Sequence, residues 1–144
     1  EAFNPEQMLP APSQGVLAIE TAQELDPQLE AVIAQVNDPA SHLAAVAERA
    51  VMSTLQAGCA APVGTYAYLV RAGFDYELHL EAGVFALDGA ASVRSRQAAT
   101  LGGVDLTKAC HLQKAVELGQ RAAQDLLAQG AGQVADLQAV KERG

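Results

Sequence analysis

Cys59 is the side chain whose type and setting could do the most distinctive chemistry. It lies in Leu55-Gln56-Ala57-Gly58-Cys59-Ala60-Ala61-Pro62-Val63-Gly64, directly after a glycine and three positions before a proline. Gly58 permits a positive φ or a close backbone approach, and Pro62 stiffens the exit. A thiolate is a strong nucleophile. Held on a rigid turn at a domain edge, it suits covalent attachment to a group from outside the domain. A plainer reading stands beside that one, because free Cys is among the most buried residue types and packs as a small apolar side chain.

The remaining reactive side chains form no second constellation. Two cysteines, Cys59 and Cys110, are too few for a disulfide scaffold and fit the reduced thiols of a cytoplasmic protein. His42, His79 and His111 make no pair with Cys at ligand intervals, so no metal site is expected. Cys110 and His111 are adjacent, and adjacent helical positions do not face one another. Cys110 therefore reads as a core residue. A Cys-dependent hydrolase or redox protein would need a Cys-x-x-Cys or a His tied to Cys59 by a motif, and neither is present. Glu48 and Arg49 read as a helix charge pair or an interdomain contact, and His79 as a polar-face residue with no special role.

Charge narrows the classes further. With 17 acidic and 9 basic residues the net charge is -8, which argues against phosphate-directed nucleic-acid binding. The basic residues (Arg49, Arg71, Arg94, Arg96, Lys108, Lys114, Arg121, Lys141, Arg143) are scattered. Only Arg94 and Arg96 share a face, as a solvated strand surface. No apolar run approaches the length a bilayer needs, so no membrane partner is expected. The start at Glu1, without Met or a leader, reads as a trimmed or partial chain.

The elements that position Cys59 follow from periodicity. Glu1 to Ser13 carries three prolines and reads as a connector, and Gln14 to Glu20 as a short buried strand without an obvious partner. Asp26-Pro27 starts a helix with Leu29, Val32, Ile33 and Val36 on one side. Asp38-Pro39 starts a second, with Leu43, Val46, Ala50 and Leu55. Beyond Pro62 the period becomes two. Thr65 to Ala72, Tyr76 to Ala86 and Ser92 to Thr100 read as an antiparallel meander with turns at Ala72-Gly73 and Asp88-Gly89. Glu77, His79 and Glu81 mark its wet face. A helix over roughly Leu106 to Gln129 presents Leu112, Val116, Gly119, Ala123 and Leu126, and a short amphipathic tail ends the chain. The fold class is α+β: a small three-stranded antiparallel sheet with about three helices on one face, preceded by a connector and remnant strand.

Four segments carry a resemblance. The Cys59 loop resembles the Leu-Glu-Gly-Gly-Cys-x-x-Pro-Ile-Gly motif of the porphobilinogen deaminase (hydroxymethylbilane synthase) family. Ala47-Glu48-Arg49 is similar to its Ala-Glu-Arg at the same distance from the Cys. Met8 to Glu20 resembles its Pro-Ala-x-Gly-Gln-Gly-x-Leu-x-Ile-Glu segment, and Asp88-Gly89 falls where that family has a strand-to-strand Asp-Gly. The motifs reach to about Gly89; the remainder fits in length and pattern. Gln56, Ala57, Val63 and Ser13 depart from the family pattern. A left-handed backbone at 57 or 13 would cost a non-glycine residue about 1 kcal/mol or more.

The resemblance implies a transferase of tetrapyrrole and haem biosynthesis that joins four porphobilinogen units head to tail, releasing ammonia at each step and finally hydroxymethylbilane. It implies Cys59 as the thioether anchor of a dipyrromethane cofactor, with Gln14 either near that cofactor or capping its own loop. It implies that residues 1–21 are a connector and strand left from N-terminal domains and that 22–144 form the cofactor-anchoring domain. The catalytic acid and the Arg cluster for the acetate and propionate arms then lie in those N-terminal domains. No catalytic residue falls in this chain, which alone is expected to be inactive. The intact enzyme is implied to be a cytoplasmic monomer whose partners are porphobilinogen and the growing polypyrrole. The competing reading is a non-enzymatic α+β binding or assembly module with an incidental thiol.

Overall fold

The computed structural model describes residues 3–138. The order is α1 (Pro27–Val36), α2 (Pro39–Leu55), β1 (Val63–Ala72), β2 (Asp75–Phe85), β3 (Ser92–Leu101), α3 (Ala109–Ala128) and α4 (Ala131–Val134). The strands form one antiparallel sheet in the order β1-β2-β3. Each lies within two residues of its expected span. Their connections are short because the turns are chemically suited: Gly73 and Gly89 take φ of 66° and 75°, and the Asp88 carboxylate accepts the Ala90 N–H at 2.9 Å.

Two helix starts follow from the same dipeptide. Asp26 accepts from the Gln28 N–H and Asp38 from Ser41, each ahead of a proline in the first turn. The Ser41 hydrogen bonds hold the Asp38 carboxyl below its usual value. The third start differs from expectation. Asp105 spends its carboxylate on Thr107, accepting from both its N–H and its hydroxyl, so a turn occupies 105–107 and α3 begins at Ala109.

Helices α2, α3 and the one-turn α4 pack on one face of the sheet. The core joins Leu43, Ala47, Val51 and Leu55 of α2 to Leu78, Leu80, Ala82 and Val84 of β2, and to Ala115, Leu118, Ala122 and Leu126 of α3. The buried stripe of α2 is rotated from the expected one, with Ala47 and Val51 replacing Val46 and Ala50 as its deepest members. Likewise His111, Ala115 and Leu118 are buried on α3, whereas Leu112 and Val116 are only half-buried. Cys110 is exposed, not a core residue, because the helical angle that buries His111 turns its neighbour outward.

Two expected elements are placed differently. Gln14 to Glu20 forms no strand: no described strand lies beside it to complete a ladder, and Leu17 is 95% exposed. Helix α1 forms as expected but buries nothing, so Leu29, Val32 and Val36 face outward. The expected amphipathic tail runs into residues 139–144, with Lys141 and Arg143, which lie outside the described residues.

Parts of both sheet edges are capped by something other than a strand. Along β3, Lys114 and Arg121 of α3 and its C-cap residue Gln129 donate to the carbonyls of Thr100, Ala98 and Arg94. Along β1, the Thr65 N–H donates to Pro10 O at 2.9 Å and the Ala67 N–H to Glu48 Oε1 at 2.7 Å. Glu48 is therefore not a charge partner of Arg49: it is 7% exposed, and its other oxygen accepts the Ser13 N–H at 2.6 Å. Burial pushes its carboxyl up from the ordinary value of 4.5, against the lowering effect of the Ser13 and Ala67 amides.

Two outcomes follow from this packing. A Cβ on Gly119 would collide with Ala47 O and lie 2.6 Å from Ala50 Cβ, where α2 and α3 touch. Gly119→Ala is expected to lower stability by about 1–3 kcal/mol in a urea melt, despite alanine's better helix propensity. An unchanged midpoint would mean that the helices are not in contact there. The raised Glu48 carboxyl means the folded chain holds that proton more tightly than the unfolded chain. Its contribution is fullest below the ordinary value of 4.5 and is lost as pH rises through the raised folded value. Denaturant melts of wild type and Glu48→Gln across this range are expected to show the wild-type advantage shrinking with rising pH. A growing advantage would show that the amide bonds outweigh burial.

Candidate functional site around Cys59

Helix α2 ends in a reciprocal pair of hydrogen bonds: Ala57 N–H to Met52 O at 3.0 Å and Gln56 N–H to Ser53 O at 3.2 Å. Gln56 supplies the left-handed residue this ending needs, at φ 52°. Ala57 is not left-handed, so its departure from the family glycine carries no such penalty, whereas Ser13, at φ 58°, does carry one. The chain then turns over Gly58 to Ala61, with Ala61 N–H bonded to Gly58 O.

Both sides of the turn are fastened. The Gly58 N–H donates to Leu137 O at 2.7 Å, and the Phe85 N–H donates to Pro62 O at 3.0 Å. The Cys59 thiol stands free and exposed on this fixed turn, as the attachment reading requires and the buried-Cys reading does not. A depression of about 390 Å³ begins at the next residue, lined by Ala60, Pro62, Leu87, Val134, Asp88 and Asp136, with Cys59 itself outside the lining. Its apolar part could carry the face of a ring. Its charge would repel an anionic arm, and among the described residues its lining includes no cation. A smaller hollow of about 160 Å³, between Ser41 and Tyr68, lies on the β1 edge, and the Ser41 hydroxyl there is committed to Asp38 at 2.6 Å.

Gln14 sits in the connector turn, exposed, with its N–H on Ala11 O. Among the described residues no hydrogen bond joins it to the Cys59 loop. Arg94 and Arg96 lie on the open face of the sheet, as expected, but fasten the connector there. Arg94 donates to Glu6 O at 2.9 Å and lies over the Phe85 ring, and Arg96 pairs with Glu81 at 3.3 Å. His79 stacks on Tyr68 and contacts Glu77 on the same face. His111 is buried with Nδ1 unpartnered. No group of three or more His, Cys, Asp or Glu able to hold a metal occurs among the described residues. Nor is any described helix long and apolar enough to cross a membrane.

The features that sequence reasoning missed are the burial of Glu48 and the Leu137 anchor. Glu48 had a signal, since it precedes Leu55 by seven residues and so shares the apolar side of α2. The Leu137 contact uses only backbone atoms and leaves no mark on residue type.

Comparison with known proteins bears on the same residues. A family model described as "Porphobilinogen deaminase, C-terminal domain" matches residues 42–128, from the second turn of α2 to the end of α3. A porphobilinogen deaminase of Cutibacterium acnes is 43% identical over 143 residues, covering 96% of this chain and 42% of that protein. The one from Thermobifida fusca is 40% identical, covering 93% of this chain and 40% of the relative. The one from Nocardia farcinica is also 40% identical, covering 91% and 36%. The chain thus spans about two fifths of the length of these relatives. It belongs to the porphobilinogen deaminase C-terminal domain family.

Proposed function

We propose that this chain is the cofactor-anchoring domain of a hydroxymethylbilane synthase, a cytoplasmic transferase that joins four porphobilinogen units into hydroxymethylbilane with loss of ammonia. Cys59 is its thioether anchor. The observation that carries this reading is the exposed thiol on a turn fastened at Gly58 and Pro62, within a segment matching the family's Cys motif. The dipyrromethane held there would supply the primer to which substrate units are added.

The chain's own residues meet half of that requirement. A free thiol on a rigid backbone can form the sulfur–carbon bond and then hold its product in one place. The apolar lining beside it can take the face of a pyrrole. Asp88 and Asp136 would turn acetate and propionate arms away from this domain. Those arms need Arg side chains, for which the two-pronged guanidinium is suited. Such a cluster, and the acid that helps ammonia leave, belong to the N-terminal domains of the longer protein. Residues 1–21 connect to those domains, and 22–144 form the anchoring domain. Gln14 lies on that connector and approaches the cofactor only in the assembled enzyme, which works as a monomer.

Replacing Cys59 by Ser in the full-length protein separates this reading from an assembly module with an incidental thiol. The variant is expected to melt within about 0.5 kcal/mol of wild type, as an exposed substitution should. It is also expected to lose porphobilinogen turnover, and the 144-residue chain alone is expected to have none, for want of the acid and the Arg cluster. Turnover by Cys59→Ser at the wild-type rate would overturn the anchor.

A further inference from the structure

The connector is the part of the chain least supported by its own secondary structure, yet its course is closely specified. Leu9 and Pro10 lie over Gly64 and Gly83, which are partners across β1 and β2. A Cβ at Gly64 would lie 2.7 Å from Leu9 Cβ, and one at Gly83 would lie 3.2 Å from Leu9 Cδ1. Gly64 makes room for Leu9 where β1 leaves the Cys59 loop, while Gly83 makes room first for the Phe85 ring, 2.8 Å away, and then for the tip of Leu9. Three residues after Pro10, Ser13 takes the left-handed conformation that L side chains avoid, with its own hydroxyl buried and unpartnered. Nothing in the side chain of Ser13 accounts for that turn. The backbone does: the turn is closed by Gln14 N–H on Ala11 O and Val16 N–H on Ser13 O, and it aims the Ser13 N–H at Glu48.

Glu48 is more than nine-tenths buried and has no cationic partner among the described residues. A buried carboxylate without a cation persists only if hydrogen bonds replace its water. Both donors are backbone amides from separate parts of the chain, 2.6 Å away on the connector and 2.7 Å away on the free edge of β1. A carboxyl oxygen can accept an amide N–H in either ionisation state, so the two contacts do not depend on the charge. One side chain of α2 therefore ties together the helix before the Cys59 loop, the strand after it and the connector.

We propose that Glu48 is a positioning residue: its carboxylate clamps the connector Leu9–Ser13 along the edge of β1 and so fixes the connector's path past the Cys59 loop. The clamp is a claim about the backbone and stands without the cofactor. Its consequence for the enzyme, that the anchor keeps a set position relative to the N-terminal domains, rests on the reading of Cys59 given above.

Amide-resolved hydrogen exchange on the 144-residue chain tests the clamp. Glu48→Gln leaves one amide facing a donor in place of an acceptor. It is expected to speed exchange at Ser13, Thr65 and Ala67 about tenfold or more, while Leu118 and Ala122 of α3 change less than about twofold. Adding Ser13→Gly, which takes the left-handed turn without strain, is expected to recover part of that protection. Unchanged exchange at Ser13, or an equal rise at Ser13 and in α3, would overturn the proposal, the second because it marks general destabilisation. Should Glu48→Gln not fold, the wild-type chain decides. Scalar coupling across the hydrogen bonds from the Ser13 and Ala67 amide nitrogens to Glu48 Cδ is expected, and its absence at Ser13 overturns the clamp. None of these readouts involves Cys59, so an unmodified thiol would leave the clamp standing, and a failed clamp would leave the anchor untouched.

Discussion

A sheet of three strands has two edges, and every outward-facing amide and carbonyl on them needs a partner that is not another strand. Much of this chain's architecture answers that constraint. On the β3 side the answer is cationic side chains of α3 and the amide side chain of its C-cap residue, reaching carbonyls at Thr100, Ala98 and Arg94. On the β1 side it is the connector carbonyl of Pro10 and the buried carboxylate of Glu48. Because α3 must stand over β3 to do this, it meets α2 closely, and Gly119 is the residue that lets the two backbones approach. Basic residues that look scattered in the sequence therefore share a task.

The Cys59 loop inherits its rigidity from the same arrangement. It begins at the end of α2, whose position Glu48 ties to β1, and it finishes in β1 itself. The Leu137 carbonyl and the Phe85 N–H fasten its two sides. An exposed thiol is usually a mobile one, but here exposure and a fixed backbone coexist. An anchor needs both, because the thiol must be reachable when the bond forms and stationary afterwards. The carboxylates beside it reinforce the division of labour proposed for the enzyme: this domain holds the ring system, and its charge directs anionic arms toward cations elsewhere.

How much was legible depended on whether the determining interaction left a trace in residue type. The meander was legible because alternation in Tyr76 to Ala86 and the turn glycines state the sheet's faces and connections directly. Asp-Pro starts were legible for α1 and α2, but Asp105 used the same chemistry for a turn, and α3 began later than its apolar pattern implied. Periodicity alone could not tell that α1 stays undocked, since an amphipathic stripe records a need for cover without naming what supplies it. The exchange of Cys110 for His111 in the interior is a difference of one helical position, about 100° of rotation, which composition does not resolve. Glu48 was misread because a charged residue beside Arg49 looks like a surface pair, whereas its donors lie 35 and 19 residues away along the chain.

The most direct test of the central claim is the intact mass of the active full-length protein, followed by a peptide map across Cys59. The account predicts a mass excess equal to one dipyrromethane, carried by the peptide that contains Cys59 and by no other. An unmodified Cys59 peptide, in a preparation that converts porphobilinogen to hydroxymethylbilane, would contradict it.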